Sequence, residues 1–163
     1  MSPATRDFAT ILCLCSGNYC RSPMAEALLR YHLGLRGDGA WVRVTSAGTT
    51  ANHEGRPAAP QVLQAMRERG AHGFTHRPHH ITAGEVAGAD LILAMAEEHR
   101  AWIVEHYPDA RARTLLLSEA IGASFDIPDP GVETSVTLEQ IADLIDRCVR
   151  DGLDAIVRRA RRS

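Results

Sequence analysis

Short strand-like stretches recur along the chain, two of them almost continuously apolar, and between them lie segments whose apolar residues recur every three or four positions. The first stretch, Phe8–Leu14, reads as a buried strand. Met24, Leu28, Leu29 and Leu33 follow at helical spacing, with Pro23 in the first turn of that helix and Ser22 placed to cap it. A Gly-rich turn over Leu35–Ala40 leads to a second strand, Trp41–Thr45. Pro60–Arg69 is an amphipathic helix through Val62, Leu63 and Met66, closed by Gly70. Ala89–Met95 reads as a third strand, and Glu97–Tyr107 as the helix after it, stopped by Pro108. Arg113–Leu117 is a fourth strand. A loop over Ser118–Thr134 then leads to a long helix that opens on the capping box Thr137 and Gln140 and buries Leu138, Ile141, Ile145, Cys148 and Val149.

Strands that alternate with helices pair in parallel through right-handed crossovers. The pattern therefore predicts an α/β fold: a single three-layer domain over residues 1–163, with a four-stranded parallel sheet and helices on both faces. In such sheets the functional loops lie at the carboxyl ends of the strands. The loop after the first strand, Cys15–Arg21, is the one that carries chemistry.

Gly17 lets this loop turn tightly, and successive N–H groups in such a turn form a nest for an oxyanion. The helix that follows adds the positive end of its dipole. Arg21 can grip two oxygens of a phosphate at once, which a lysine ammonium cannot do. The same positive surroundings favour the thiolate of Cys15. A nucleophile and an anion cradle thus share one loop, the arrangement that phosphoryl transfer through a cysteinyl-phosphate requires.

Composition narrows the remaining classes. A formal net charge of −2 gives no support for nucleic-acid binding, and no apolar run approaches a membrane span. The first residues lack the basic-then-apolar layout of a secretory signal, and the four cysteines do not form a disulfide framework, so a cytoplasmic protein with free thiols is expected. All basic residues are Arg, which we read as coding bias. His72, His76, His79 and His80 raise a metal site, but they share a loop with Pro78 and lack completing cysteines or carboxylates, so neither metal nor cofactor is expected. Arg158, Arg159, Arg161 and Arg162 read as a solvated helix end that complements the dipole, with a docking patch as the alternative.

Cys15-Ser16-Gly17-Asn18-Tyr19-Cys20-Arg21-Ser22, followed by Pro23, resembles the phosphate loop of the low-molecular-weight protein tyrosine phosphatases, and the likeness extends over nearly the full chain. Ser46-Ala-Gly-Thr49 matches a string at the end of the family's second strand. The resemblance implies a phosphatase with Cys15 as nucleophile and Arg21 as phosphate grip. Ser16, Gly17, Asn18, Tyr19, Cys20 and Ser22 would complete the phosphate site. Asn18 would brace the loop, Ser22 would bond the thiolate, and His76 would take a structural role. The general acid would be Asp129, held stiffly between Pro128 and Pro130, with Asp126 as its competitor. Cys20 would either guard Cys15 through a reversible disulfide or simply fill space.

Three departures from the family pattern involve four positions: Asn52 where an aromatic is common, Gly131 and Val132 where aromatics follow Asp-Pro, and Ala96 where Asp is usual. Tyr19, Asn52 and Gly131 would then wall the substrate, with Phe125 as a further aromatic candidate. The expected substrate is a phosphorylated protein, phosphotyrosine first, or a small phosphate ester of a biosynthetic pathway; a monomer or weak dimer is expected. Arsenate reduction would need a thiol relay, and between Cys20 and the apolar-faced Cys148 there is no cysteine. A phosphate-binding module without turnover would need neither Cys15 nor Asp129.

Overall fold

The computed structural model describes residues 7–132 and 135–161. Thr134, the end of the expected loop, and Arg162 lie outside the described residues. The strands are β1 (Ala9–Cys15), β2 (Val42–Gly48), β3 (Leu91–Ala94) and β4 (Thr114–Leu116), all parallel, in the order β2-β1-β3-β4. The helices are α1 (Arg21–Arg36), α2 (Pro60–Glu68), α3 (Ala83–Gly88), α4 (Glu97–His106) and α5 (Leu138–Arg161).

Alternation along β1 builds the layers. Ile11, Cys13 and Cys15 point into a core formed with α1, α2 and α5. Leu12 and Leu14 point to the opposite face, into a smaller core with Val86 of α3 and Ile103 of α4. Because β1 is buried on both faces, its sequence shows an apolar run interrupted only by Thr10 rather than alternation. Truncating a side chain so enclosed, such as Leu14 to Ala, costs about 2–5 kcal/mol. The chain leaves β1 toward β2 on one side and reaches β3 on the other, so the Cys15–Arg21 loop sits at the topological switch point.

Four details differ from the sequence reading. β2 runs three residues past Thr45, because Ser46, Ala47 and Gly48 continue the ladder opposite Cys13, Leu14 and Cys15. β4 is shorter than expected, flanked by 3-10 turns over Pro108–Arg113 and Leu117–Ile121. α3 was not predicted; its start is fixed by a capping box between Thr82 and Glu85. Ser22 does not cap α1: the helix begins at Arg21 after Cys20 with no side-chain cap, and the Ser22 hydroxyl is buried within the first turn.

Candidate active site

Cys15 ends β1 at 2% exposure, at the floor of a cleft of about 540 Å³ that is also lined by Gly17, Tyr19, Arg21, His53, Val62, Asp129 and Leu138 among others. The loop above the thiol turns at Asn18, whose φ of 54° lies in the left-handed region that Asn tolerates better than most residues. A left-handed residue within such a turn is the local geometry from which successive N–H groups can form an anion nest.

A chain of directed hydrogen bonds underlies the loop. The Asn18 side-chain carbonyl accepts from the His79 N–H at 3.1 Å, which turns the amide NH₂ inward. Its Nδ2 donates to Ser22 Oγ at 2.9 Å and to Ser46 Oγ at 3.0 Å. The Ser46 hydroxyl in turn donates to Glu26 Oε1 at 2.7 Å. Ser22 Oγ lies 2.9 Å from Cys15 Sγ, and toward a thiolate, which can only accept, it is the hydroxyl that donates. Glu26, which Arg30 pairs at 2.9 Å, therefore anchors the far end of a relay whose near end is a hydroxyl donated to sulfur. Burial raises the pKa of Glu26 while Ser46 and Arg30 oppose that shift.

The Ser46–Thr49 string owes its residues to this loop. Ser46 braces Asn18, and Gly48 lies so close beneath that a Cβ there would meet Ser16 O at 2.6 Å and Asn18 N at 3.0 Å. Thr49 N–H donates to Cys15 O, and Thr50 donates to Ser16 O through both N–H and hydroxyl, at 2.9, 2.9 and 3.1 Å. His76 Nε2 donates to Asn18 O at 2.7 Å, and burial lowers its pKa. The His79 ring pairs with Glu85 at 2.8 Å and His80 packs edge-on to Trp102, so these histidines serve separate partners.

Arg21 is 4% exposed. Its Nη1 donates to Ile127 O at 3.0 Å, and its Nη2 lies 3.5 Å from Asp129 Oδ2. Asp129 Oδ1 accepts from Gly131 N–H at 2.9 Å, which aims the carboxylate across the cleft. Asp126 is engaged elsewhere: its Oδ1 accepts from Glu97 N–H at 2.9 Å, at the start of α4. Ala96 offers that helix no side-chain oxygen, and Asp126 supplies one from another segment.

Burial, with the nearby Cys15 and Asp129, pushes the Cys20 thiol up to about 11. Burial likewise raises Cys13 well above the ordinary range, and raises Cys148. These three are held as thiols.

The walls correct the sequence expectation. Asn52 is exposed and does not line the cleft; the turn after β2 instead brings in His53, whose ring stacks on Tyr19 at 4.3 Å and 6°. Gly17 leaves room for that ring, since a Cβ there would lie 2.6 Å from His53 Cδ2. Pro130, Gly131 and Val132 form the opposite side. Phe125 packs against the core instead of the cleft, with its backbone clasped by Ser118 Oγ. Sequence reasoning did not single out His53, Glu26 or His99. The last two left a trace, as polar residues at helical spacing from buried Leu29 and Ile103.

A thiol, a tight strand-to-helix loop, a guanidinium and a carboxylate thus meet at one end of a parallel sheet. The family model described as low molecular weight phosphotyrosine protein phosphatase matches residues 10–162. The chain belongs to that family. A probable low molecular weight protein-tyrosine-phosphatase, EpsP, of Ralstonia nicotianae is 38% identical over 152 residues, covering 93% of this chain and 96% of the relative. A protein-arginine-phosphatase of Bacillus subtilis is 33% identical over 141 residues, covering 86% and 91%. The solved structure of the YwlE arginine phosphatase, in a variant with a phosphorylated active-site serine, superposes with a TM-score of 0.78 at 30% identity, covering 94% and 98%. As a low molecular weight phosphatase, this chain has a phosphate loop whose side chains are mostly engaged, with one another or with neighbouring segments.

Proposed function

We propose that the protein hydrolyses phosphorylated side chains of proteins, phosphotyrosine foremost, through a cysteinyl-phosphate on Cys15. Arg21 and the N–H groups of Ser16–Arg21 hold the three non-bridging oxygens. The Cys15 thiolate attacks phosphorus and the P–O bond to the side chain breaks, while Asp129 gives its proton to the leaving oxygen. Water then attacks phosphorus, Asp129 takes a proton from it, the P–S bond breaks, and inorganic phosphate leaves with the thiolate restored. Asn18, Ser22, Ser46 and Glu26 keep Ser22 as a donor to sulfur. The free thiols fit a reducing compartment such as the cytoplasm.

The observation that carries the phosphotyrosine reading is the parallel Tyr19–His53 stack, which gives a flat aromatic side to a cleft whose other side is Pro130 and Val132. The same flat face supports a second reading, because a planar guanidinium also stacks on aromatic rings, and one relative is named for arginine phosphatase activity. Hydrolysis of matched peptides bearing phosphotyrosine or phosphoarginine, beside an alkyl phosphate, separates them. The highest kcat/KM is expected on phosphotyrosine. A preference for phosphoarginine establishes the second reading, and a preference for the alkyl ester points to a small-molecule substrate.

A further inference from the structure

One buried titratable side chain outside these assignments reaches the phosphate loop. His99, in the first turn of α4, is 1% exposed. Its Nδ1 accepts from Ala96 N–H at 3.1 Å, so the ring proton sits on Nε2 and is donated to Ser16 Oγ at 2.9 Å. Glu98 Oε1 lies 3.4 Å from the same nitrogen. Burial first, then Arg21, lowers the ring's pKa to about 4, which keeps this tautomer neutral near pH 7.

Ser16 follows Cys15 directly and is gripped from two directions: Thr50 holds its carbonyl, and His99 holds its hydroxyl. The same turn of α4 also grips the late loop, because Glu97 N–H donates to Asp126. A single helical turn is thus bonded to both sides of the cleft.

We propose that His99 is a positioning residue for phosphoryl transfer, which fixes the phosphate loop against α4 through the Ser16 hydroxyl and so sets the separation of Cys15 from Asp129. This inference rests on the assignment of Cys15 and Asp129 above. His99 does not touch the substrate; it acts through Ser16. A displacement of about 1 Å between reacting groups costs up to about 100-fold in rate, so a loosened loop is felt even though the thiol remains.

The test is a double-mutant cycle of His99→Ala and Ser16→Ala, read as kcat/KM on an aryl phosphate and as the inhibition constant of inorganic phosphate. Each single variant should lower kcat/KM by about tenfold and weaken phosphate inhibition by a similar factor, a fraction of the loss available to misplaced groups. The double variant should be no worse than the poorer single, because both remove one linkage. Ser16→Ala deletes only a half-buried hydroxyl and carries the test alone should His99→Ala not fold. Wild-type behaviour of Ser16→Ala overturns the proposal, and so do losses that multiply in the double variant. A lower Tm in His99→Ala beside an unaffected Ser16→Ala would leave the ring a helix cap and packing group only. Cys15→Ser is measured in parallel: an active Cys15→Ser overturns the underlying assignment, whereas an inactive one with unaffected Ser16→Ala overturns the positioning role alone.

Discussion

The phosphate loop and the late loop that carries Asp129 face each other across the cleft and are secured in opposite ways. In the phosphate loop, Asn18 uses both ends of its amide and its main-chain carbonyl, Ser22 and Ser46 are fixed as directed donors, and Gly48 lies in van der Waals contact beneath. In the late loop, Ile127 is tied through its N–H to Met95 and through its carbonyl to Arg21. Beyond Asp129 the chain turns outward, and Val132 is 79% exposed. The difference teaches where each property resides. Under the proposed mechanism, attack on phosphorus depends on a network that tolerates little change, and substrate choice depends on a rim that tolerates more.

The sharpest break in this comparison is Cys15→Ser. Turnover of an aryl phosphate should fall to background while Tm and phosphate binding persist, as followed by calorimetry; retained turnover would remove the thiol from the reaction.

Asp129→Asn comes next. It should cost roughly 10²–10⁴-fold on leaving groups as poor as tyrosine and far less on a phenol acidic enough to leave unaided. Asp126→Asn keeps an oxygen for Glu97 N–H and should change kcat little, whereas Asp126→Ala should impair it. If instead Asp126→Asn alone showed the leaving-group dependence, the acid would lie three residues upstream.

A pH effect on stability follows from His99. Its folded pKa of about 4 is below the ordinary 6.5, so the unfolded chain binds more protons between these values. Stability is therefore full above pH about 6.5 and is lost as pH falls toward 4, by up to about 3 kcal/mol for a shift of this size. Arg21 nearby reinforces the shift and Asp126 and Asp129 oppose it. Urea midpoints at pH 7 and pH 5 should show the decline, and His99→Asn should flatten it. Buried His76 shifts in the same direction, so a residual slope in that variant is expected.

The smallest effect belongs to the rim. His53→Ala removes half of the aromatic stack, worth about 0.5–1.5 kcal/mol, and should raise KM for aryl phosphates about two- to tenfold with little change for alkyl phosphates. Equal changes for both classes would make the ring a support for Gly17 rather than a substrate wall.

How much of this the sequence discloses depends on the range of the interaction. The strand-to-helix loop with Cys15 and Arg21, the four strands and the long last helix are local patterns, and they were legible. Ser22 misled because capping is the common use of a serine before a helix, whereas here the nearby thiol and Asn18 claim the hydroxyl. Asn52 misled because alignment by pattern is blind to a turn that presents the next residue. The Asp126 contact with Glu97 N–H joins positions 29 apart, and the His99 contact with Ser16 joins positions 83 apart. No periodicity reports contacts of that range.

The span between Arg21 and the Ile127 carbonyl, 106 residues, has a consequence for assembly. During synthesis Cys15 and Arg21 are made well before Ile127 and Asp129, the groups that orient the guanidinium. Closing so long a loop is entropically slow, and distant pairings of this kind dominate folding times. Refolding should therefore restore helical signal before catalytic competence, with the arginine's last partner arriving near the end of the process.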